Sequence, residues 1–94
     1  TALIWAAREG HAKCVARLMQ NGADPNIRDS SGNTALIWAV KKGHINVVEE
    51  LLSAGVPPNQ TDGEGTTALA LAAREQQQEI LQRLIAATAK RNSQ

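Results

Sequence analysis

The side chains with the greatest chemical capacity in this sequence are His11 and Cys14, the adjacent acids Glu49 and Glu50, the glycine-flanked Glu64, and the two tryptophans Trp5 and Trp38. A histidine and a cysteine three residues apart fall on one turn of a helix, a spacing that suits two ligands of a zinc-type metal. No third or fourth ligand stands at a matching spacing, and a lone cysteine on an apolar helix more often packs than ligates. Glu49 and Glu50 diverge by about 100° on a helix, so they cannot aim two carboxylates at one reacting centre. Gly63-Glu64-Gly65 does not lead from a strand as a phosphate-binding loop would, and no serine or cysteine sits within a nucleophile motif. Trp5 and Trp38 could stack a base or a ligand ring. These residues point away from catalysis, no cofactor or metal is expected, and the tryptophans are left as candidate aromatic anchors.

Composition narrows the elements that must position such residues. The chain has 94 residues, 43% apolar and 20% charged, enough to bury one core and too few for two substantial domains. Sixteen Ala and nine Leu, with no Tyr or Phe, describe closely packed helices and argue against an all-β protein. A net charge of +1 is far from the basic excess used for phosphate backbones, so nucleic acid is not an expected partner. No apolar run approaches the roughly 20 residues of a membrane span, and no membrane insertion is expected. The single cysteine, Cys14, fits a reducing compartment, which predicts an intracellular, cytoplasmic or nuclear location.

The ordering principle is a repeat. Thr1-Ala2-Leu3-Ile4-Trp5-Ala6 returns as Thr34-Ala35-Leu36-Ile37-Trp38-Ala39 and, more weakly, as Thr67-Ala68-Leu69-Ala70-Leu71-Ala72, a period of 33 residues. Gly10/Gly43, His11/His44, Val15/Val48, Leu18/Leu51, Gly22/Gly55, Pro25/Pro58, Asn26/Asn59, Asp29/Asp62 and Gly32/Gly65 keep the same register. Recurrence of the histidine where Cys14 becomes Val47 marks the histidines as structural. Thr1, Thr34 and Thr67 stand as N-caps of a first helix that Gly10 and Gly43 end in the left-handed conformation. A second helix carries one apolar stripe, Val15, Leu18 and Met19 or Val47, Val48, Leu51 and Leu52, and stops at Gly22 or Gly55. The connectors Ala23–Asn33 and Val56–Thr66 are too rich in turn formers to be helical.

With these motifs in order, the chain resembles the ankyrin repeat family over nearly its whole length. Thr-Ala-Leu-Ile-x-Ala stands where that family has Thr-Pro-Leu-His-x-Ala, Gly43-His44-Ile45-Asn46-Val47-Val48-Glu49-Glu50-Leu51-Leu52 follows its Gly-His-x-x-Val-Val-x-x-Leu-Leu pattern, and Gly22-Ala23-Asp24-Pro25-Asn26 is similar to its Gly-Ala-Asp-x-Asn. The resemblance implies an all-α solenoid of about three helix-turn-helix repeats joined by β-turn or hairpin loops. The expected units are 1–33, lacking its leading turn, 34–66, a full repeat, and 67–94, a C-terminal capping repeat with a wettable outer face. Ile4, Ile37 and Ala70 replace the histidine that supports hydrogen bonding around the family's turns, so packing is expected to hold these turns instead. Residues 68–89 are read as two helices, because Gln76 and Gln77 interrupt the apolar face. The start at Thr1 without an initiator Met predicts further repeats upstream, in a monomeric array within a longer chain.

The resemblance also implies a function, a non-catalytic protein-protein interaction module that presents turn tips and first-helix ends along a concave groove. Carried over position by position, that surface is Arg28, Ser30, Ser31 and Asn33 in one turn, Thr61, Glu64 and Thr66 in the next, and Arg8-Glu9, Lys41-Lys42 and Arg74-Glu75 at the helix ends. The central lysines, flanked by Arg8 and Arg74, lean the groove basic and favour a mildly acidic or mixed-charge protein or peptide. The alternative is a regulatory or structural segment of a larger enzyme, channel or receptor that packs against its own chain. Trp5 and Trp38 share a repeat position and are expected to pack side by side at successive inter-repeat contacts, with Leu71 as their third counterpart. Arg17, Glu50 and Arg83 also share one position and predict an alternating charge ladder, worth only ~0–1 kcal/mol per exposed pair.

Overall fold

The computed structural model describes residues 2–75 and 77–92. The expected cap at Thr1, the interruption at Gln76 and the side chains of the polar tail from Lys90 to Gln94 lie outside the described residues.

Among the described residues the elements are six helices: α1 (Ala2–Glu9), α2 (Ala12–Gln20), α3 (Ala35–Lys42), α4 (Ile45–Ser53), α5 (Ala68–Arg74) and α6 (Gln78–Asn92). Each consecutive pair folds back on itself. First helices then stack as α1, α3, α5 and second helices as α2, α4, α6, forming a slab of about 28 × 28 × 19 Å. The expected all-α solenoid is thus observed, and residues 68–89 do form two helices rather than one.

Local chemistry accounts for the boundaries. The Thr34 hydroxyl accepts from the Ile37 N–H at 3.3 Å and the Thr67 hydroxyl from the Ala70 N–H at 3.1 Å, so each cap satisfies an N–H that the first turn leaves open. Gly43 ends α3 at φ +74°, and Gly10 ends α1 at φ +81°. Both positions also need the missing side chain. A Cβ on Gly10 would come within 2.8 Å of the His44 ring, and one on Gly43 within 2.7 Å of Gln77 Oε1.

Those two close approaches tie the units together. His44 Nε2–H donates to the Arg8 carbonyl at 3.1 Å, and Gln77 Nε2–H to the Val40 carbonyl at 2.9 Å. Gln77 therefore does for the third unit what His44 does for the second, a substitution the apolar patterning did not reveal. Between the helix layers Leu36, Ile37, Val40, Val47, Val48 and Leu51 are fully buried, while Leu71, Ile80 and Leu84 extend the core into the third unit. Each such side chain contributes about 1.5–3 kcal/mol by leaving water.

Three expectations need correction. Arg83 pairs with Glu49 at 2.8 Å rather than with Glu50, so the ladder through Arg17, Glu50 and Arg83 does not form among the described residues. The outer face of the third unit is not wholly wettable, since Leu69 and Ile85 are 37% and 50% exposed. Packing is not the main support of the turns, which are held by side-chain hydrogen bonds.

Candidate functional site

Each connector is organised by one aspartate. Asp29 Oδ1 accepts the N–H groups of Ser31 at 2.9 Å and Asn33 at 3.0 Å, while the Asp29 N–H donates to the Asn33 carbonyl at 3.0 Å. Asp62 repeats the arrangement, with Oδ1 accepting from Glu64 at 2.9 Å and Thr66 at 2.8 Å and its own N–H donating to the Thr66 carbonyl at 2.9 Å. A short carboxylate that captures its own downstream backbone is what closes a tight turn. A second network joins the turns to the helices. Thr34 Oγ1–H donates to Gln60 Oε1 at 2.8 Å, and Gln60 Nε2–H donates to Asn26 Oδ1 at 2.9 Å.

The second oxygen of Asp29 connects the turn to an aromatic ring, because Trp38 Nε1–H donates to Asp29 Oδ2 at 2.7 Å. Trp38 is half-buried. Around its ring stand Arg8 at 5.7 Å, Lys42 at 5.8 Å and Lys41 at 5.9 Å from the centroid, positions where a cation meets the negative face of the π system. Lys41 reaches further, donating to Asn33 Oδ1 at 3.3 Å and lying 3.9 Å from Asp62 Oδ2. Arg8 lies 3.4 Å from Glu9. Lys42 has no ion pair among the described residues and is exposed.

The aspartates are tuned by these contacts. The Asn33 N–H and then the Trp38 indole hold the Asp29 carboxyl below its ordinary value, against the opposing effect of burial and with help from the Ser31 N–H and Arg8. The Thr66 N–H leads the same lowering at Asp62, again opposed by burial and assisted by the Glu64 N–H, Lys41 and Arg74.

The structure sorts the expected surface residues. Arg8, Lys41 and Lys42 converge on Trp38, with Glu9 paired to Arg8. Ser30, Ser31 and Glu64 are exposed at the turn tips, Thr61 and Thr66 are half-buried, and Arg74 and Glu75 are exposed at the end of α5. Two expected surface residues are turned to other work. Asn33 is buried at 4% exposure because its backbone closes the turn on Asp29 and its side chain receives Lys41. Arg28 is exposed but donates to the carbonyls of Gly32 at 2.7 Å and Thr61 at 2.6 Å, clamping one connector to the next.

The tryptophans do not pack side by side. Trp38 turns to Asp29, and Trp5 is 51% exposed with its ring centroid 5.2 Å from that of His11. Leu71, their third counterpart, is buried. Cys14 is exposed, and no cluster of three or more His, Cys, Asp or Glu residues suited to a metal ion occurs among the described residues. Asp29, Asp62 and Gln77 are the important residues not assigned a role from sequence. Identity of the aspartates in both connectors was the available signal.

Paired antiparallel helices, stacked at a fixed period with aspartate-closed turns along one edge, define a repeat solenoid. A family description, ankyrin repeats in three copies, matches residues 3–94, and the chain belongs to the ankyrin repeat family. Repeats of this family are typically non-catalytic and mediate protein-protein interaction. The chain is also similar to the palmitoyltransferase Hip14 of Drosophila melanogaster, at 56% identity over 32 residues. That stretch is 34% of this chain and 5% of the relative, so the chain spans a small part of that protein. No helix among the described residues is long and apolar enough to cross a membrane.

Proposed function

We propose that this chain is a non-catalytic protein-binding module that takes a mildly acidic or mixed-charge segment of a protein partner along the edge where connector tips meet first-helix ends. The observation that carries the reading is the fixed Trp38 ring with three cations within 6 Å of its centroid. Tryptophan and arginine are the residue types that most often anchor interfaces. Trp38 is already oriented by Asp29, so little ordering entropy remains to be lost when a partner docks. Glu9, Asp29 and Asp62 offset much of the positive charge, which favours a mixed-charge partner over a strongly acidic one. Exposed Ser30, Ser31, Glu64, Arg74 and Glu75 extend the surface to either side, with Thr61 and Thr66 between them.

Lys42 is the residue to reverse, because Lys41 also supports Asn33 and Asp62. Partners captured by the intact chain are compared with those of an Arg8→Glu, Lys42→Glu variant and an Arg83→Glu control on the second-helix side. Selective loss with the first variant, at unchanged helicity, is expected. Equal retention of every partner by both folded variants overturns the assignment. An intracellular location, cytoplasmic or nuclear, accords with the single cysteine.

The similarity to a segment of an enzyme supports a second reading, in which the array packs against its own larger polypeptide. Protection of Lys42 from acetylating reagent in the full-length polypeptide, without added partner, would favour this reading over the first.

A further inference from the structure

Two grooves run along the layer of second helices, one on each side of α4, and they occupy equivalent places one period apart. Between α4 and α6, Glu49, Leu52, Ser53, Arg83 and Ala87 line a depression of about 400 Å³. Between α2 and α4, Ala16, Met19, Gln20, Glu50, Ser53 and Ala54 line one of about 250 Å³. Ala16, Met19, Gln20, Glu50 and Ala54 stand one period before Glu49, Leu52, Ser53, Arg83 and Ala87, so the walls correspond residue by residue. The charges do not. In the α4–α6 groove the chain supplies both halves of an ion pair, with Arg83 Nε–H donating to Glu49 Oε1 at 2.8 Å. In the α2–α4 groove Glu50 takes the place of the arginine and Ala16 that of the acid. Glu50 is exposed and has no ion pair among the described residues. Arg17 does not serve it, because Arg17 lines a different groove with Trp5 and Cys14. Beside Glu50 lie the half-buried Met19 and Ala16, an apolar floor packed on the core through Met19.

We propose that the α2–α4 groove is a second docking site, which takes an arginine side chain of a protein partner. The α4–α6 groove shows how such a place is completed, by a guanidinium and a carboxylate brought together beside an apolar floor. In the α2–α4 groove the chain keeps only the carboxylate, so the cation comes from outside. The stem of an incoming arginine lies on Met19 and Ala16, whose flexible thioether and small methyl adapt to it. Its planar head pairs with Glu50, and the fork of N–H donors suits a carboxylate better than the single ammonium of lysine. The groove belongs to a layer that carries none of the residues around Trp38, so the site stands whether or not the Trp38 edge binds a partner. The two places select opposite charges.

The probe is a capped tripeptide, acetyl-Ala-Arg-Ala-amide, titrated at millimolar concentration into the isotope-labelled chain and followed by NMR. The same peptide with citrulline for arginine is its uncharged match. Saturable shifts are expected at the Met19 methyl and at the amides of Ala16, Gln20, Glu50 and Ala54, with none at Leu52 or Ala87 and little response to the citrulline peptide. Glu50→Gln should weaken binding by about twofold to fivefold, the range of an exposed ion pair. Ala16→Arg should abolish it, by reproducing the Glu49–Arg83 pair within the groove with its charges exchanged. Arg83→Ala frees Glu49 and should add a second set of shifts at Leu52 and Ala87. Equal shifts from the citrulline peptide overturn the proposal, as does binding that Glu50→Gln and Ala16→Arg leave unchanged while circular dichroism shows both variants folded. Groove shifts that grow with chain concentration in the absence of peptide, alongside dimers in sedimentation, also overturn it by making a second copy the occupant.

Discussion

The two connectors share a design and differ in what they do with a spare carboxylate oxygen. In the first, Asp29 Oδ2 accepts from the Trp38 indole at 2.7 Å, within the following unit. In the second, Leu71 replaces the tryptophan and is buried, and Asp62 Oδ2 faces Lys41, at the end of the first helix of its own unit, at 3.9 Å. One turn thus locks forwards to the next unit through a hydrogen bond from a neutral donor to a carboxylate, and the other locks to the first helix of its own unit through a longer ion pair. The same repeat position thus holds an oriented, half-buried aromatic ring in one unit and a core side chain in the next, through a change of one side chain on a constant turn.

The tips of the connectors also touch unequally, and this difference gives the largest expected effect. Gly32 has φ +84°, and a Cβ there would meet the Gly63 Cα at 2.5 Å. Gly65 has the same φ of +84° with nothing within 4 Å of an added Cβ. Left-handed backbone costs an L residue roughly 1–2 kcal/mol, so Gly65→Ala should lose about that amount in urea unfolding. Gly32→Ala must in addition displace the backbone of the next turn, and about 3 kcal/mol or more is expected. Equal losses would show that the turn tips do not bear on one another.

Replacing the aspartates tests the locks themselves. Asp29→Ala removes acceptors from two backbone N–H groups and from the Trp38 indole, a loss of about 2 kcal/mol. It should also release the Trp38 ring, seen as increased fluorescence anisotropy decay in a Trp5→Phe background. Asp62→Ala leaves two backbone N–H groups without their acceptor but frees no aromatic ring, so the loss should be smaller and Trp38 should remain ordered. Greater mobility of Trp38 in the Asp62 variant would reverse the assignment of roles.

These contrasts show where the sequence was readable. The period, the threonine caps and the glycine stops involve neighbours in the chain, so local patterning displayed them. The replacement of His44 by Gln77 was hidden because the two residues are alike only in reaching a carbonyl one unit back. Arg28 and Asn33 read as surface because they are polar and lie in loops, yet backbone carbonyls and a buried turn claim them. Pairing of Arg83 with Glu49 instead of Glu50 is a contact between helices of successive units, which alignment of the repeats does not specify. Recognition of Trp38 as a pinned ring required knowing that Asp29 has an oxygen to spare.

The smallest expected effect concerns acid. Both folded carboxyls titrate below the ordinary aspartate value, about 3.9 in an unfolded chain. In the window between the folded and unfolded values the unfolded state binds more protons, so stability rises with pH there. The contribution is complete at neutral pH and is lost as pH falls through the depressed folded values. Trp38→Phe deletes a buried-side neutral donor from Asp29, whereas Lys41→Met deletes a partly exposed charge 3.9 Å from Asp62. Solvent and salt weaken the second interaction more than the first. Carboxyl chemical shifts followed by NMR should therefore show the Asp29 value rising further in the Trp38 variant than the Asp62 value rises in the Lys41 variant. Raising the salt concentration in the parent chain should narrow the lowering at Asp62 before it narrows that at Asp29. An equal response of the two carboxyls would mean that their shared backbone turns, and not the indole and lysine contacts, set their acidity.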